Sequence, residues 1–147
     1  MRKIQFRGKR LDTCAWVVGW LAGLSLIATD EPESTLNATD LYYDQEPYVG
    51  FTEVRSETVG QYIGFEDMNG KPIFEGDIVR YHKPLTPWGH NLADGTEGVV
   101  DFSGGAFYMA VRRTAAMTDL YLLNSFFGAH GSIIEVIGNI YDKEEYI

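Results

Sequence analysis

The sequence predicts a mostly-β fold, a small barrel or sandwich of short strands with extra hairpins and one or two short helices. Three observations carry this. Apolar stretches of strand length recur along the chain and are separated by glycine-rich turns. β-branched and aromatic residues dominate them, as in Trp16-Val17-Val18 and Ile78-Val79-Arg80-Tyr81. The composition is that of an ordinary globular domain: 147 residues, 45% hydrophobic and 22% charged. A chain of this size can bury enough surface to fold without a disulfide or metal. Cys14 is the sole cysteine, which rules out an intrachain disulfide and suits a reducing compartment.

The elements follow in order. Ile4-Gln5-Phe6-Arg7 alternates and predicts a strand. The apolar run Ala15–Ala28 is 14 residues long. A membrane helix needs about 20. Gly19, Gly23 and Ser25 divide the run, so it predicts a hairpin, Ala15–Ala22 and Leu24–Thr29, turning near Gly23. The run is therefore expected to stay in the mature protein and not to act as a signal or anchor.

Residues 30–53 change character. Asp30-Glu31-Pro32-Glu33-Ser34 breaks regular structure, and Ser34–Tyr43 suits one or two helical turns capped by Ser34 or Thr35. The segment reads first as a variable, solvated acidic excursion. Its second reading is a contact surface, because Tyr42, Tyr43, Tyr48 and Phe51 sit among carboxylates.

Val59–Phe65 predicts a strand, Asn69-Gly70 a tight turn, and Pro72-Ile73-Phe74 an extended path. Glu75-Gly76-Asp77 is a second turn leading into the strand Ile78–Tyr81. Gly76 is expected to take a turn conformation and Asp77 to accept from nearby backbone N–H groups, while Ile78 or Val79 enters the core. His82–Thr96, with Pro84, Pro87, Trp88, Gly89 and Gly95, reads as a loop. Glu97–Phe102 and Ala106–Val111 are strands joined at Ser103-Gly104-Gly105. Met117–Phe127 predicts a helix, with Leu120, Leu123 and Phe127 at helical spacing, Thr118 as N-cap and Gly128 as stop. Ile133–Tyr141 closes the fold, with Gly138 as a bulge, and the tail from Asp142 is expected to fray.

Charge narrows the function. Twelve cations and 21 acids give a net charge of -9. Five cations and no acid lie in residues 1–10, whereas residues 11–54 hold eight acids and no cation. Phosphate binding needs a cationic face, so general nucleic-acid binding is unexpected. The local exception is Arg112-Arg113 with Trp88, where cation and aromatic could stack a base.

No chemical centre stands out. His82, His90 and His130 lack metal-ligand spacing, and a structural zinc would need all three plus a carboxylate. No phosphate loop, Ser-His-Asp order or catalytic carboxylate pair is apparent. Cys14 beside Trp16 reads as a small buried filler. No cofactor, no metal and no enzymatic activity are expected.

Thr58-Val59-Gly60-Gln61-Tyr62, Asp67-Met68-Asn69-Gly70-Lys71-Pro72-Ile73-Phe74-Glu75-Gly76-Asp77-Ile78-Val79 and Glu135-Val136-Ile137-Gly138-Asn139-Ile140-Tyr141-Asp142 together resemble the YopX-like proteins of phages and prophages. The opening Met1–Arg7 is similar too. The fit is weaker over residues 30–53 and 85–93. The resemblance implies one domain over residues 1–147 with an SH3-like roll, and it carries no catalytic residues. It also implies a phage protein in the cytoplasm of a bacterial host. The function expected first is a non-enzymatic accessory protein that binds a host protein or itself, an acidic DNA mimic being one variant. A nucleic-acid-associated SH3-like module comes second and a small enzyme last. The partner is unknown from sequence, a homo-oligomer is expected, and no membrane association is.

Overall fold

The computed structural model describes residues 4–28, 51–85, 92–128 and 131–142. The chain divides into two compact units, residues 1–61 and 62–147. Both are built from antiparallel strands.

In the first unit, β1 (Phe6–Lys9) pairs with β2 (Trp16–Gly23), which pairs with β3 (Leu26–Ala28), which pairs with β4 (Phe51–Glu53). A 3-10 turn, Ser56–Thr58, leads to β5, Gly60–Glu66, whose first two residues pair with β1 on its other side. The Ala15–Ala28 run is thus a hairpin, turning at Leu24-Ser25, and the register slips between Leu21 and Gly23. The first strand starts later than its alternation predicts, at Phe6, and continues through Lys9.

Close backbone approaches shape this unit. Val54 bridges Arg10 and lies over Gly8, where a Cβ would come within 2.7 Å of its side chain. The Ala28 carbonyl oxygen sits 2.0 Å from where a Gly19 Cβ would be. Ile27 and Val54 are buried beside these glycines. Glycine is therefore required by space at both positions.

The second unit opens with the rest of β5, which pairs with β6 (Pro72–Phe74). Its main sheet has five strands, β7 (Asp77–Tyr81), β8 (Glu97–Ser103), β9 (Ala106–Thr114), β10 (Met117–Leu122) and β13 (Ile134–Asn139). A second 3-10 turn (Leu123–Phe126) and the short pair β11 (Phe127–Gly128) and β12 (Gly131–Ser132) precede β13. The sheet order is β10-β9-β8-β7-β13. Alternation places Val79, Tyr81, Val100, Met109 and Val111 on one face, where they pack with Ile63, Ile73, Leu92, Leu123, Phe126 and Ile134. Tyr81 meets Phe126 edge-on at 5.8 Å between centroids. Each such side chain contributes about 1.5–3 kcal/mol on burial.

Several expectations hold. Gly104 and Gly105 both have positive φ, 58° and 86°, as a two-residue hairpin turn demands. Gly138 follows a register slip in β13, between Val136 and Gly138.

Three do not. Met117–Phe127 is not a helix: Met117–Leu122 is strand β10, and only Leu123–Phe126 turns helically. Thr118, expected as an N-cap, pairs with Arg112 instead, and Gly128 lies in β11. Pairing with β9 supplies a full ladder to the segment, which an isolated short helix could not match. Cys14 is exposed, not a buried filler. It ends the β1–β2 connection with φ 59°, and its N–H donates to the Arg10 carbonyl at 3.1 Å. The expected barrel does not close: the fold consists of open antiparallel sheets among the described residues. The helical turns expected at Ser34–Tyr43 and most of the acidic tail lie outside the described residues.

Candidate functional site

The two aspartates of the central motif bond backbone N–H groups. Asp67 is buried, and its carboxylate accepts three backbone N–H bonds. Asn69 and Lys71 donate to Oδ1 at 2.9 and 2.8 Å, and Val136 donates to Oδ2 at 2.8 Å. One side chain therefore holds the Asn69-Gly70 turn and fastens it to β13, 69 residues away. Gly70 itself has φ 80°.

Asp77 is also buried, and the Phe74 N–H donates to its Oδ2 at 2.9 Å. Gly76, with φ 86°, donates to the Val100 carbonyl and accepts from Ile140 N–H, each at 2.9 Å. Asn139 Oδ1 accepts from the N–H groups of Tyr141 and Asp142 at 2.8 and 3.1 Å, and its Nδ2 donates to the Asp142 carboxylate. These contacts shape turns.

Two polar clusters reach the surface. His82 Nε2 lies 3.0 Å from Glu135 Oε1, and Asn69 Nδ2 donates to Glu135 Oε2 at 3.4 Å. On the β9–β10 hairpin, Arg113 Nε donates to Asp119 at 2.9 Å and its Nη2 to the Tyr121 hydroxyl at 2.8 Å. These hydrogen bonds, the one to Asp119 first, raise the Arg113 pKa above its ordinary value. No three His, Cys, Asp or Glu side chains among the described residues are grouped to hold a metal ion.

Of the candidate nucleic-acid residues, the two arginines lie in the β9–β10 hairpin. Arg113 is engaged within its own hairpin, and Arg112 is exposed and pairs in register with Thr118. Trp88 lies outside the described residues, as do Tyr42, Tyr43, Tyr48, His90 and His130. Phe51 opens β4, half-buried, and lines a shallow cleft with Arg10, Asp12 and Glu53. In that cleft Arg10 Nε donates to Asp12 Oδ1 at 2.9 Å.

The feature missed from sequence is the outer surface of β10. Tyr121 packs against the core and Asp119 is held by Arg113, while on β10 Leu120 is 51%, Leu122 42% and Met117 52% exposed. Their strand neighbours on β9 are Ala110 and Tyr108. Leu120 and Leu122 are two residues apart, which is strand spacing, but the helical spacing of Leu120, Leu123 and Phe127 masked it.

An antiparallel β protein whose motif residues Asp67, Asp77, Gly70 and Gly76 serve turns is defined by its architecture and surfaces. The chain belongs to the YopX protein family, whose model matches residues 6–147. It is similar in fold to the crystal structure of protein EF1440 from Enterococcus faecalis, with a TM-score of 0.52 and 17% identity over 99% of this chain and 98% of that one. No curated protein matches in sequence. No helix among the described residues is long and apolar enough to cross a membrane.

Proposed function

We propose that this protein is a non-enzymatic protein-interaction module, an accessory protein of phage or prophage origin working in the bacterial cytoplasm. The observation that supports this best is the β9–β10 hairpin. It presents Met117, Leu120 and Leu122 to solvent at the edge of a sheet. Exposed apolar side chains next to unpaired strand-edge groups suit protein association. The commitment of Asp67, Asp77 and Asn139 to turns fits a role without catalysis. An SH3-like arrangement of the second unit belongs to this reading, as a module that displays hairpins.

Chemical crosslinking in bacterial cells tests it, comparing the wild type with a Leu120→Lys/Leu122→Lys double variant of matching circular dichroism. Discrete protein adducts that the variant loses support the reading. Adducts unaffected by the variant, or no protein adducts at all, overturn it. A second reading, binding of nucleic acid, draws only on exposed Arg112.

A further inference from the structure

We propose that the partner of β10 is a second copy of this chain, paired antiparallel through β10 about a two-fold axis at Leu120. This rests on the interaction-module reading and names its partner. Among the described residues no strand pairs with the outer edge of β10. The strand has no proline and no lysine. Its one charge, Asp119, is half-buried and bonded to Arg113 of the same hairpin. The one irregularity of the β9–β10 pair lies at its start, between Met117 and Thr118, so Thr118–Leu122 presents a regular edge that no other described strand covers.

Charge permits a second copy to approach at this hairpin. Residues 106–128 contain two arginines and one aspartate, in a chain whose net charge is -9. Outside residues 1–10 and this hairpin the chain is predominantly acidic, so like copies repel over most of their length. At this hairpin they meet without that repulsion.

Side-chain alternation then limits the register. Apolar residues share a face across the axis only if residues of the same parity oppose one another, so the axis passes through a residue. An axis at Asp119 would place Asp119 against its own copy, which like charges disfavour. An axis at Tyr121 would leave only Leu120–Leu122 of the strand paired. An axis at Leu120 opposes Leu120 to Leu120, Thr118 to Leu122, and Asp119 to Tyr121. That register pairs the whole of Thr118–Leu122 and buries the exposed leucines on one continuous face.

Sedimentation velocity on the full chain, over a range of concentrations, reads the assembly. The wild type should dimerise. Leu120→Lys, which sets two ammonium groups directly across the axis, should weaken the dimer roughly tenfold or more. Unchanged circular dichroism shows that the variant is folded. Register is read by mild oxidation in a Cys14→Ser background. Leu120→Cys should form a disulfide-linked dimer, because directly opposed Cβ atoms lie about 5 Å apart, while Thr118→Cys should not. A strict monomer at every concentration overturns the proposal. So does a Leu120→Lys dimer as tight as the wild type, or equal crosslinking at both positions. A monomer that still yields β10-dependent adducts in cells would refute self-pairing and leave the interaction-module reading standing.

Discussion

Gly19 and Gly76 are glycines for different reasons. At Gly76 space exists, since a Cβ would meet Tyr141 at 3.4 Å and Ile140 at 3.6 Å, but φ is 86°. Gly76→Ala should therefore cost only backbone strain, about 1 kcal/mol. At Gly19 a Cβ would lie 2.0 Å from a backbone oxygen. Gly19→Ala must force β2 and β3 apart and should cost about 3 kcal/mol or more. Urea denaturation of both variants checks the order, and a milder effect at Gly19 would contradict the close approach. Asp12 offers a titration. Its hydrogen bond from Arg10 lowers its carboxyl pKa from 3.8 to about 2. A lowered folded-state pKa means that the ion pair favours the fold above 3.8, and that this contribution disappears as pH falls toward 2. The side chain is largely exposed, so salt should screen the pair. An NMR titration should place the Asp12 midpoint near 2, and Arg10→Gln should return it toward 3.8.

The hairpin β5–β6 is held to β13 by Asp67, whose neighbouring turn residues are the ones most easily recognised in the sequence. The carboxylate is isosteric with an amide, but an amide has one acceptor oxygen where three N–H groups converge. Asp67→Asn should cost about 1–3 kcal/mol, and amide exchange at Val136 should accelerate more than at Val100. Equal stability would show that the clasp is incidental. The β9–β10 hairpin teaches the converse lesson. Its spacing suggests a helix, yet the Arg113–Asp119–Tyr121 contacts belong to paired strands. Periodicity in so short a segment does not decide between the two states.

Over the whole molecule, net charge governs what can approach. With -9 overall and Arg113 engaged internally, no duplex or single-stranded DNA should bind with micromolar affinity at about 150 mM salt. Fluorescence anisotropy checks this. Tight, steeply salt-dependent binding that Arg112→Ala abolishes would move the function to nucleic acid.

The sequence by itself determined the β class, the turns at Asn69-Gly70, Gly76 and Gly104-Gly105, the hairpin at Ala15–Ala28 and the family. Those signals are local: positive φ, strand-length apolar runs and glycine placement are set within a few residues. Tertiary structure alone decided that, among the described residues, β10 is an edge strand and the sheets stay open, that Cys14 faces solvent and that Asp67 reaches Val136. Each depends on which distant segment supplies the hydrogen-bonding partner, and pairing across tens of residues leaves no periodic trace in the chain.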